Sequence, residues 1–227
     1  MSEMLPTGQS LVGKALRLPL RLIPKSSVAR VVFGPMRGAK WIVGSSTHGC
    51  WLGSYEREKQ ECFASLIRPG TVVYDIGANV GLYSVLAARR GARFVLACEP
   101  DPWNVRILSR HWEMNHIHGF IEQAAVADYR GNGNFACRGA EGRISDIGIE
   151  VSVTTVDVLT EQHHFPDIIK IDVEGSELNV LKGAIHSLRS KPAVFVAQDG
   201  PIEPVLEFMS ARNYKAHEIM HGEWLFK

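Results

Sequence analysis

The feature that most constrains the fold of this chain is a series of five short apolar runs, each followed by polar or glycine-bearing residues. The runs are Val72–Ile76, Phe94–Cys98, Phe120–Val126, Ile168–Val173 and Ala193–Ala197. Helix-length amphipathic segments lie between them, and this alternation is typical of successive βα units around a parallel sheet. Two closing strand candidates follow, at Tyr214–Ile219 and Trp224–Phe226. The pattern predicts a doubly wound, Rossmann-like α/β domain with a mostly parallel seven-stranded sheet and helices on both faces.

A turn dipeptide, Pro69-Gly70, divides the chain of 227 residues into two parts. Residues 1–68 are predicted to form an N-terminal arm and a cap segment, and residues 69–227 the Rossmann-like domain. Within the cap, Lys40–Gly44 reads as a strand and Cys50–Gly53 as a loop, and Glu56–Leu66 is helix-like. We expect this segment to lean over a binding site.

Charge and cysteine content exclude several function classes. The formal charge of +1 gives no global attraction to nucleic acid, so a small-molecule or carbohydrate ligand is expected and nucleic acid is not. The cysteines lack metal-ligand spacing, so neither a metal site nor a disulfide framework is predicted. We therefore expect a reducing, cytoplasmic location. The cysteines are Cys50, Cys62, Cys98 and Cys137.

The apolar stretch from Leu11 to Ile23 is interrupted by basic residues and by Pro19, so it cannot span a bilayer. It could rest on an anionic membrane surface. The favoured alternative is an arm that packs its leucines on the main domain, or on a partner subunit of a homo-oligomer, with its arginines in water.

The sharpest local pattern is the strand, glycine loop and helix start at residues 72–81. Glycine at 77 and 81 lets the backbone turn tightly and approach a cofactor. A dinucleotide fingerprint would need glycine at 77, 79 and 82, but this chain has Asn79 and Leu82 there. The carboxylate of Asp75 would repel a pyrophosphate and suits the α-ammonium of a methionine moiety. The loop therefore favours S-adenosylmethionine, although Asp75 could also merely cap its own loop.

Acidic residues follow the next two strands. Glu99 comes about twenty residues after the glycine loop, where a carboxylate can accept hydrogen bonds from both ribose hydroxyls of the cofactor. Asp128 follows the third run, where it could accept from an adenine amino group or only begin a turn. Asp101, with Pro102 after it, is predicted to cap the next helix.

The run at residues 168–175 places Lys170, Asp172 and Glu174 on one face of a strand. Because desolvating three charges is costly, mutual pairing or a bound ligand must compensate them. We predict that Asp172 or Glu174 is the general base for methyl transfer to a hydroxyl, with Lys170 tuning their pKa or stabilising an alkoxide. A structural Lys170–Asp172 ion pair is the alternative. A helix with a leucine stripe, capped by Ser176, is predicted to continue to Leu188.

Together these motifs resemble the FkbM family of methyltransferases. The resemblance rests on Tyr55-Glu56, on Asp-Ile-Gly-Ala-Asn-Val-Gly at 75–81, on Glu99-Pro100, on Lys-Ile-Asp-Val-Glu-Gly at 170–175, and on Glu177 and Leu181-Lys-Gly183. It implies a class I methyltransferase fold that O-methylates sugars, polyketides or related metabolites. It places Asp75, Gly77, Asn79, Gly81 and Glu99 at the cofactor, and Asp172 and Glu174 near the reacting centre. We expect the neighbouring Ala78 and Pro100 to contact the cofactor as well. Similar proteins often carry a glutamate after the fifth strand, where this chain has Gln198-Asp199.

Three rival interpretations remain at the level of sequence. A nicotinamide-dependent oxidoreductase would want a GxGxxG loop, and a nucleic-acid methyltransferase would want a basic, aromatic-studded face. A binding module could keep the S-adenosylmethionine pocket and lack catalysis. Among the histidines, His48 in the cap is the best alternative base.

Overall fold

A central sheet with helices on both faces organises the chain in a computed structural model, which describes residues 22–138, 141–145 and 148–227. The strands are β1 (Val28–Arg30), β2 (Lys40–Ile42), β3 (Val72–Ile76), β4 (Phe94–Cys98), β5 (Gly119–Glu122), β6 (Ala125–Val126), β7 (Gly131–Arg138), β8 (Glu141–Ser145), β9 (Ile149–Thr154), β10 (Ile168–Ile171), β11 (Ala193–Ala197), β12 (Ala216–Met220) and β13 (Glu223–Phe226). The helices are α1 (His48–Leu52), α2 (Arg57–Leu66), α3 (Leu82–Arg89), α4 (Pro102–Asn115), α5 (Val156–Gln162), α6 (Glu177–Lys182) and α7 (Glu203–Ser210). None of these helices has the length and apolarity needed to cross a bilayer.

Seven strands form the central sheet, in the order β12-β13-β11-β10-β3-β4-β5. The strands from β11 to β5 run parallel, whereas β13 pairs antiparallel with both β11 and β12. The predicted fold class and number of strands are therefore confirmed. The strand order reverses between β3 and β10, and in open α/β sheets a ligand crevice lies at the carboxyl ends beside such a reversal.

The central strands are buried because different helices cover the two faces of the sheet. On one face, Val73 packs in a cluster with Phe63 of α2 and Leu86 of α3. On the other face, Tyr74 shares a cluster with Leu181 of α6. All five residues of β3 and all five of β4 are buried, as a parallel sheet with both faces covered requires.

The single strand predicted over residues 120–126 is wrong, because the chain changes sheet within it. Gly119–Glu122 pairs with β4 at the edge of the central sheet. Ala125–Val126 pairs instead with β9, in a second, four-stranded sheet of order β6-β9-β7-β8. Sequence analysis did not identify this second sheet. Its small core consists of Ala125, Ala127, Phe135, Val151 and Val153.

The helix predicted to run from Ser176 to Leu188 is shorter in the structure. It ends at Lys182, and within the described residues the Ser176 side chain makes no capping hydrogen bond. Gly183 follows the helix, and glycine is needed there because a Cβ would lie 2.1 Å from the carbonyl oxygen of Ala127. The backbone of the connection to the second sheet thus passes directly against the end of α6.

The segment before β3 packs against the sheet. β1 and β2 form an antiparallel pair, and Trp41 of β2 is fully buried in the same cluster as Phe63. The loop predicted at Cys50–Gly53 is wrong, because these residues belong largely to α1, which ends at Gly53 with a φ of 82°. Residues 1–21 lie outside the described part of the chain, and with them nearly all of the predicted arm. The predicted boundary between residues 68 and 69 stays a prediction.

Candidate active site

A cavity of about 290 Å³ lies beside the strand reversal. The cap contributes Trp41, Tyr55 and Glu56, the central strands and their loops contribute Gly77, Ala78, Asn79, Glu99, Pro100, Lys170, Asp172 and Glu174, and the second sheet contributes Phe135. The cap and the second sheet therefore enclose what would otherwise be an open sheet edge.

The glycine loop forms one wall of the cavity, and its backbone runs unusually close to its neighbours. A Cβ at Gly77 would lie 1.8 Å from the carbonyl oxygen of Asp172, and φ there is +73°. Asn79 also has a positive φ, of 50°. Gly81 does not line the cavity but begins α3, where a Cβ would lie 2.5 Å from the Leu108 side chain. Glycine is thus needed at 77 for the approach of β10 and at 81 for packing on α4.

Glu99 is the anchor of the adjacent wall. Its Oε2 accepts from the backbone N–H of Asn79 (2.8 Å). Its Oε1 accepts from the backbone N–H of Asp101 (2.9 Å) and from the Asn104 amide (3.2 Å). Burial raises the pKa of Glu99, while these N–H donors act in the opposite direction. The carboxylate ties the glycine loop to the start of α4, which Asp101 caps as predicted by accepting from the N–H groups of Trp103 and Asn104.

The predicted row of three charges on one strand face is wrong, because β10 ends at Ile171 and both Asp172 and Glu174 follow it, Glu174 with a φ of 53°. Lys170 of β10 nevertheless forms a charge cluster with Asp172 and with Asp75 of β3. Lys170 Nζ lies 3.3 Å from Asp75 Oδ1 and 3.5 Å from Asp172 Oδ2, and it donates to the carbonyl oxygen of Gly77 (2.9 Å). Asp75 is fully buried, and Ser84 Oγ donates to it (2.7 Å). Asp75 is therefore not a wall of the cavity. The ammonium group that it meets is that of Lys170, because β10 pairs with β3 so that the two residues are opposite each other.

The cap completes this network with groups that the sequence did not indicate. Lys59 of α2 is buried, and its Nζ lies 2.5 Å from Glu223, 3.7 Å from Asp172 and 3.8 Å from Glu56. The Tyr83 hydroxyl donates to Glu56 (3.0 Å). The Tyr83 ring lies 5.6 Å from the ammonium of Lys59 and 5.3 Å from that of Lys170. Cap and sheet are therefore joined by charge as well as by apolar packing.

The surrounding charges determine the protonation states of Asp172 and Lys170. Burial alone would raise the pKa of Asp172, but the attraction of Lys170 and Lys59 outweighs it and lowers the pKa. Burial would likewise lower the pKa of Lys170, and its two carboxylate neighbours outweigh that effect and raise it. Asp172 is thus ionised and Lys170 protonated near neutral pH.

Two other predicted groups are placed differently. Asp128 is exposed and does not line the cavity, because the chain has turned into the second sheet before reaching it. The His48 ring accepts a hydrogen bond from Trp51 Nε1 (3.1 Å) and likewise lies outside the cavity wall. Glu174 has a positive φ of 53° and lines the cavity beside Asp172.

Gln198, which stands where the family resemblance leads us to expect a glutamate, lines a second cavity of about 200 Å³. This cavity shares Asp172 and Glu174 with the first. Strand β13 pairs Glu223 with Ala197, so a carboxylate from the neighbouring strand reaches the position beside Gln198. Across the described residues, no group of three or more acidic, histidine or cysteine side chains is arranged to hold a metal ion.

The sheet order and the cavity at the strand reversal define the class of the protein, a Rossmann-like methyltransferase fold. A methyltransferase FkbM structure from Methylobacillus flagellatus matches with a TM-score of 0.52 at 17% identity, covering 80% of this chain and 56% of that one. A precorrin-6y C5,15-methyltransferase structure from Geobacter metallireducens matches with a TM-score of 0.50 at 13% identity, covering 75% and 86%.

The chain belongs to the methyltransferase FkbM domain family, whose model matches residues 75–220. It is 25% identical over 140 residues to the hexuronic acid methyltransferase AglP of Haloferax volcanii (59% of this chain, 58% of the relative). It is 27% identical over 157 residues to the 31-O-demethyl-FK506 methyltransferase FkbM of Streptomyces tacrolimicus (52% and 60%). A ribosomal protein L11 methyltransferase of Chloroflexus aurantiacus is 28% identical over 167 residues (70% and 48%). The chain thus spans 48% to 60% of the length of these relatives.

Proposed function

We propose that the chain transfers a methyl group from S-adenosylmethionine to a hydroxyl of a sugar, polyketide or related small metabolite in the cytoplasm. The observation that carries this proposal is the juxtaposition, in one cavity, of the glycine loop, the anchored Glu99 carboxylate and the Asp172–Lys170 pair. Two of the relatives, a hexuronic acid methyltransferase and a 31-O-demethyl-FK506 methyltransferase, support a small hydroxylated acceptor.

The residues on the adenosine side fit S-adenosylmethionine. The N–H donors of Asn79, Asp101 and Asn104 hold the Glu99 carboxylate in place. A carboxylate oxygen has lone pairs to spare after these bonds, so Glu99 can also accept from ribose hydroxyls. The Gly77–Asn79 loop supplies a wall of the cavity against which the cofactor can lie. We assign these residues and Pro100 to the cofactor. Asp75, Gly81 and Asp128 do not line the cavity, so they are not part of this assignment.

Bound S-adenosylmethionine would supply an electrophilic methyl group whose bond to sulfur breaks on transfer, the sulfur keeping the electron pair as S-adenosylhomocysteine. The chain must present a hydroxyl oxygen to that methyl group. Asp172 is ionised and held from two sides by Lys59 and Lys170. It accepts a hydrogen bond from the acceptor hydroxyl and so fixes the oxygen in line for attack. The proton leaves to Asp172 or to Glu174 as the new O–C bond forms. Lys170 acts through Asp172, by keeping it charged.

The first test is a calorimetric titration of the protein with S-adenosylhomocysteine and, separately, with NAD. We expect S-adenosylhomocysteine to bind and NAD not to bind. Glu99→Gln should weaken S-adenosylhomocysteine binding by roughly 10- to 100-fold, because a hydrogen bond to a charged group is lost. The matched control is Glu113→Gln, an exposed position on α4, which should bind like the wild type. If the protein binds NAD and does not bind S-adenosylhomocysteine, the proposal is wrong.

A further inference from the structure

The second cavity holds several buried acceptor atoms that lack a donor. Within the described residues, Glu177 Oε2, Gln198 Oε1 and Glu223 Oε2 have no hydrogen-bond partner, and all three residues line this cavity. Glu177 is only 1% exposed, and its other oxygen accepts from the N–H of Gly175 (2.9 Å). A buried acceptor without a donor is costly, so such atoms in a cavity indicate that a ligand supplies the donors.

The charge of this cavity restricts the kind of ligand. Five of its nine lining residues are acidic, namely Asp172, Glu174, Glu177, Asp199 and Glu223. Two lysines contact them and both are already paired: Lys59 with Glu223 and Asp172, and Lys170 with Asp172 and Asp75. The five acidic residues outnumber the two lysines, so an anionic group would meet like charge, whereas a hydroxyl or an ammonium group would find acceptors. Burial raises the pKa of Glu177 and Glu223, which also opposes the entry of a further negative charge.

The location of the cavity connects it with methyl transfer. Asp172 and Glu174 separate it from the cofactor cavity and line both. A molecule that presents one hydroxyl to Asp172 can therefore extend its remainder past β10 toward Gln198 and Glu223. At about 200 Å³, the space suits a sugar-sized group and not a protein or nucleic-acid chain.

We propose that this second cavity is the acceptor subsite and that it binds a neutral or cationic, hydrogen-bond-donating ring, selecting against carboxylate-bearing acceptors. This inference rests on the proposed function, because it places the acceptor of that reaction. The acceptor preference of this chain would then differ from that of the hexuronic acid methyltransferase of Haloferax volcanii.

The test is a ligand-observed NMR titration of the protein saturated with S-adenosylhomocysteine. The three probes are methyl β-D-glucoside, its 2-amino-2-deoxy analogue and methyl β-D-glucuronide. We expect the first two probes to bind at least about tenfold more tightly than the glucuronide, because like charges face each other in the glucuronide complex. Glu177→Gln should narrow this difference, because it replaces Oε2 by an amide donor and removes one charge.

Glu207→Gln on α7 is the matched control, since Glu207 is exposed and lies outside the cavity. If Glu177→Gln does not fold, Gln198→Leu replaces it and should weaken all neutral binding by removing an acceptor. Glucuronide binding equal to or tighter than that of the glucoside, unchanged selectivity in a folded variant, or no binding of any probe would each overturn the subsite. If the wild type does not bind S-adenosylhomocysteine at all, the proposed function is overturned instead.

Discussion

Lys170 carries a buried charge between two carboxylates, and one of them, Asp75, is fully buried. We expect Lys170→Met to lower the free energy of unfolding by about 3–5 kcal/mol, because Asp75 is left as an unpaired buried charge. Urea denaturation at neutral pH measures this.

The control for Lys170→Met is Lys182→Met, an exposed lysine on α6, which should change stability little. The double variant Lys170→Met/Asp75→Asn should recover part of the loss, because the orphaned charge is gone while Ser84 can still donate to the amide oxygen. Two results would contradict this account. One is an equal loss of unfolding free energy in Lys170→Met and Lys182→Met, and the other is a double variant that is no more stable than Lys170→Met.

At the same scale, sequence predicted one part of the site and not another. Lys170 and Asp172 are only two positions apart, so their proximity is local and could be predicted, although Asp172 follows the end of β10. The pairing of Lys170 with Asp75 depends on the register between β10 and β3, which no local pattern reveals. Lys59 and Glu223 meet only because α2 and β13 pack at the same end of the sheet. Long-range contacts of this kind are what the sequence analysis missed.

At the scale of elements, His111 of α4 joins the cap to the glycine loop. Its Nε2 accepts from the N–H of Ile42 (3.0 Å), so its Nδ1 carries the proton and donates to Val80 O (2.7 Å). The ring stacks on Trp41 at 3.9 Å. Burial lowers the pKa of His111 to about 4.

These contacts of His111 predict that the folded protein loses stability in acid. The unfolded chain protonates His111 below about pH 6.5 and the folded chain does not, so its stabilising effect is complete above that pH and falls as the pH drops toward 4. Between about pH 7 and pH 4.5 the wild type should lose about 2–3 kcal/mol more than His111→Gln, whose amide can make both bonds without titrating. Urea denaturation at the two pH values tests this. His217→Gln, at an exposed site on β12, should keep the wild-type pH dependence, and an identical slope for His111→Gln would refute the argument.

Strands could be predicted from the sequence where burial on both faces requires a continuous apolar run. β3, β4 and β11 have the predicted bounds because continuous apolar runs belong to strands covered on both faces. The second sheet was not predictable in this way. Its strand β7 begins Gly-Asn-Gly-Asn and its strand β9 alternates exposed and buried residues, so neither gives a continuous apolar run. The same absence of local signal hid the switch of sheet after β5.

At the scale of the whole molecule, the cap and the domain share one core. The cluster on one face of the sheet includes Met36 and Trp41 of the cap together with Val95 and Phe195 of the sheet. The cofactor cavity is likewise lined by the cap, the sheet and Phe135 of the second sheet. We therefore expect the described part of the chain to unfold as one cooperative unit that a cavity ligand stabilises throughout.

Thermal unfolding followed by both far-ultraviolet circular dichroism and tryptophan fluorescence tests this expectation. Of the five tryptophans, Trp112 and Trp224 are half-buried outside the cap, so the fluorescence is recorded in the Trp112→Phe/Trp224→Phe variant. In that variant the fluorescence change is weighted toward the cap, because Trp41 and Trp51 are buried there whereas Trp103 is 54% exposed. S-adenosylhomocysteine at a hundred times its Kd adds about 2.7 kcal/mol of stability, which for a chain of this size raises Tm by about 5–11 °C. Both signals should share one midpoint and shift together, and NAD at the same concentration should move neither. A fluorescence transition at a lower temperature than the circular dichroism transition, with a midpoint that S-adenosylhomocysteine does not shift, would mean that the cap folds separately. The contacts of the cap with Glu223 and His111 would then contribute little to the stability of the cavity.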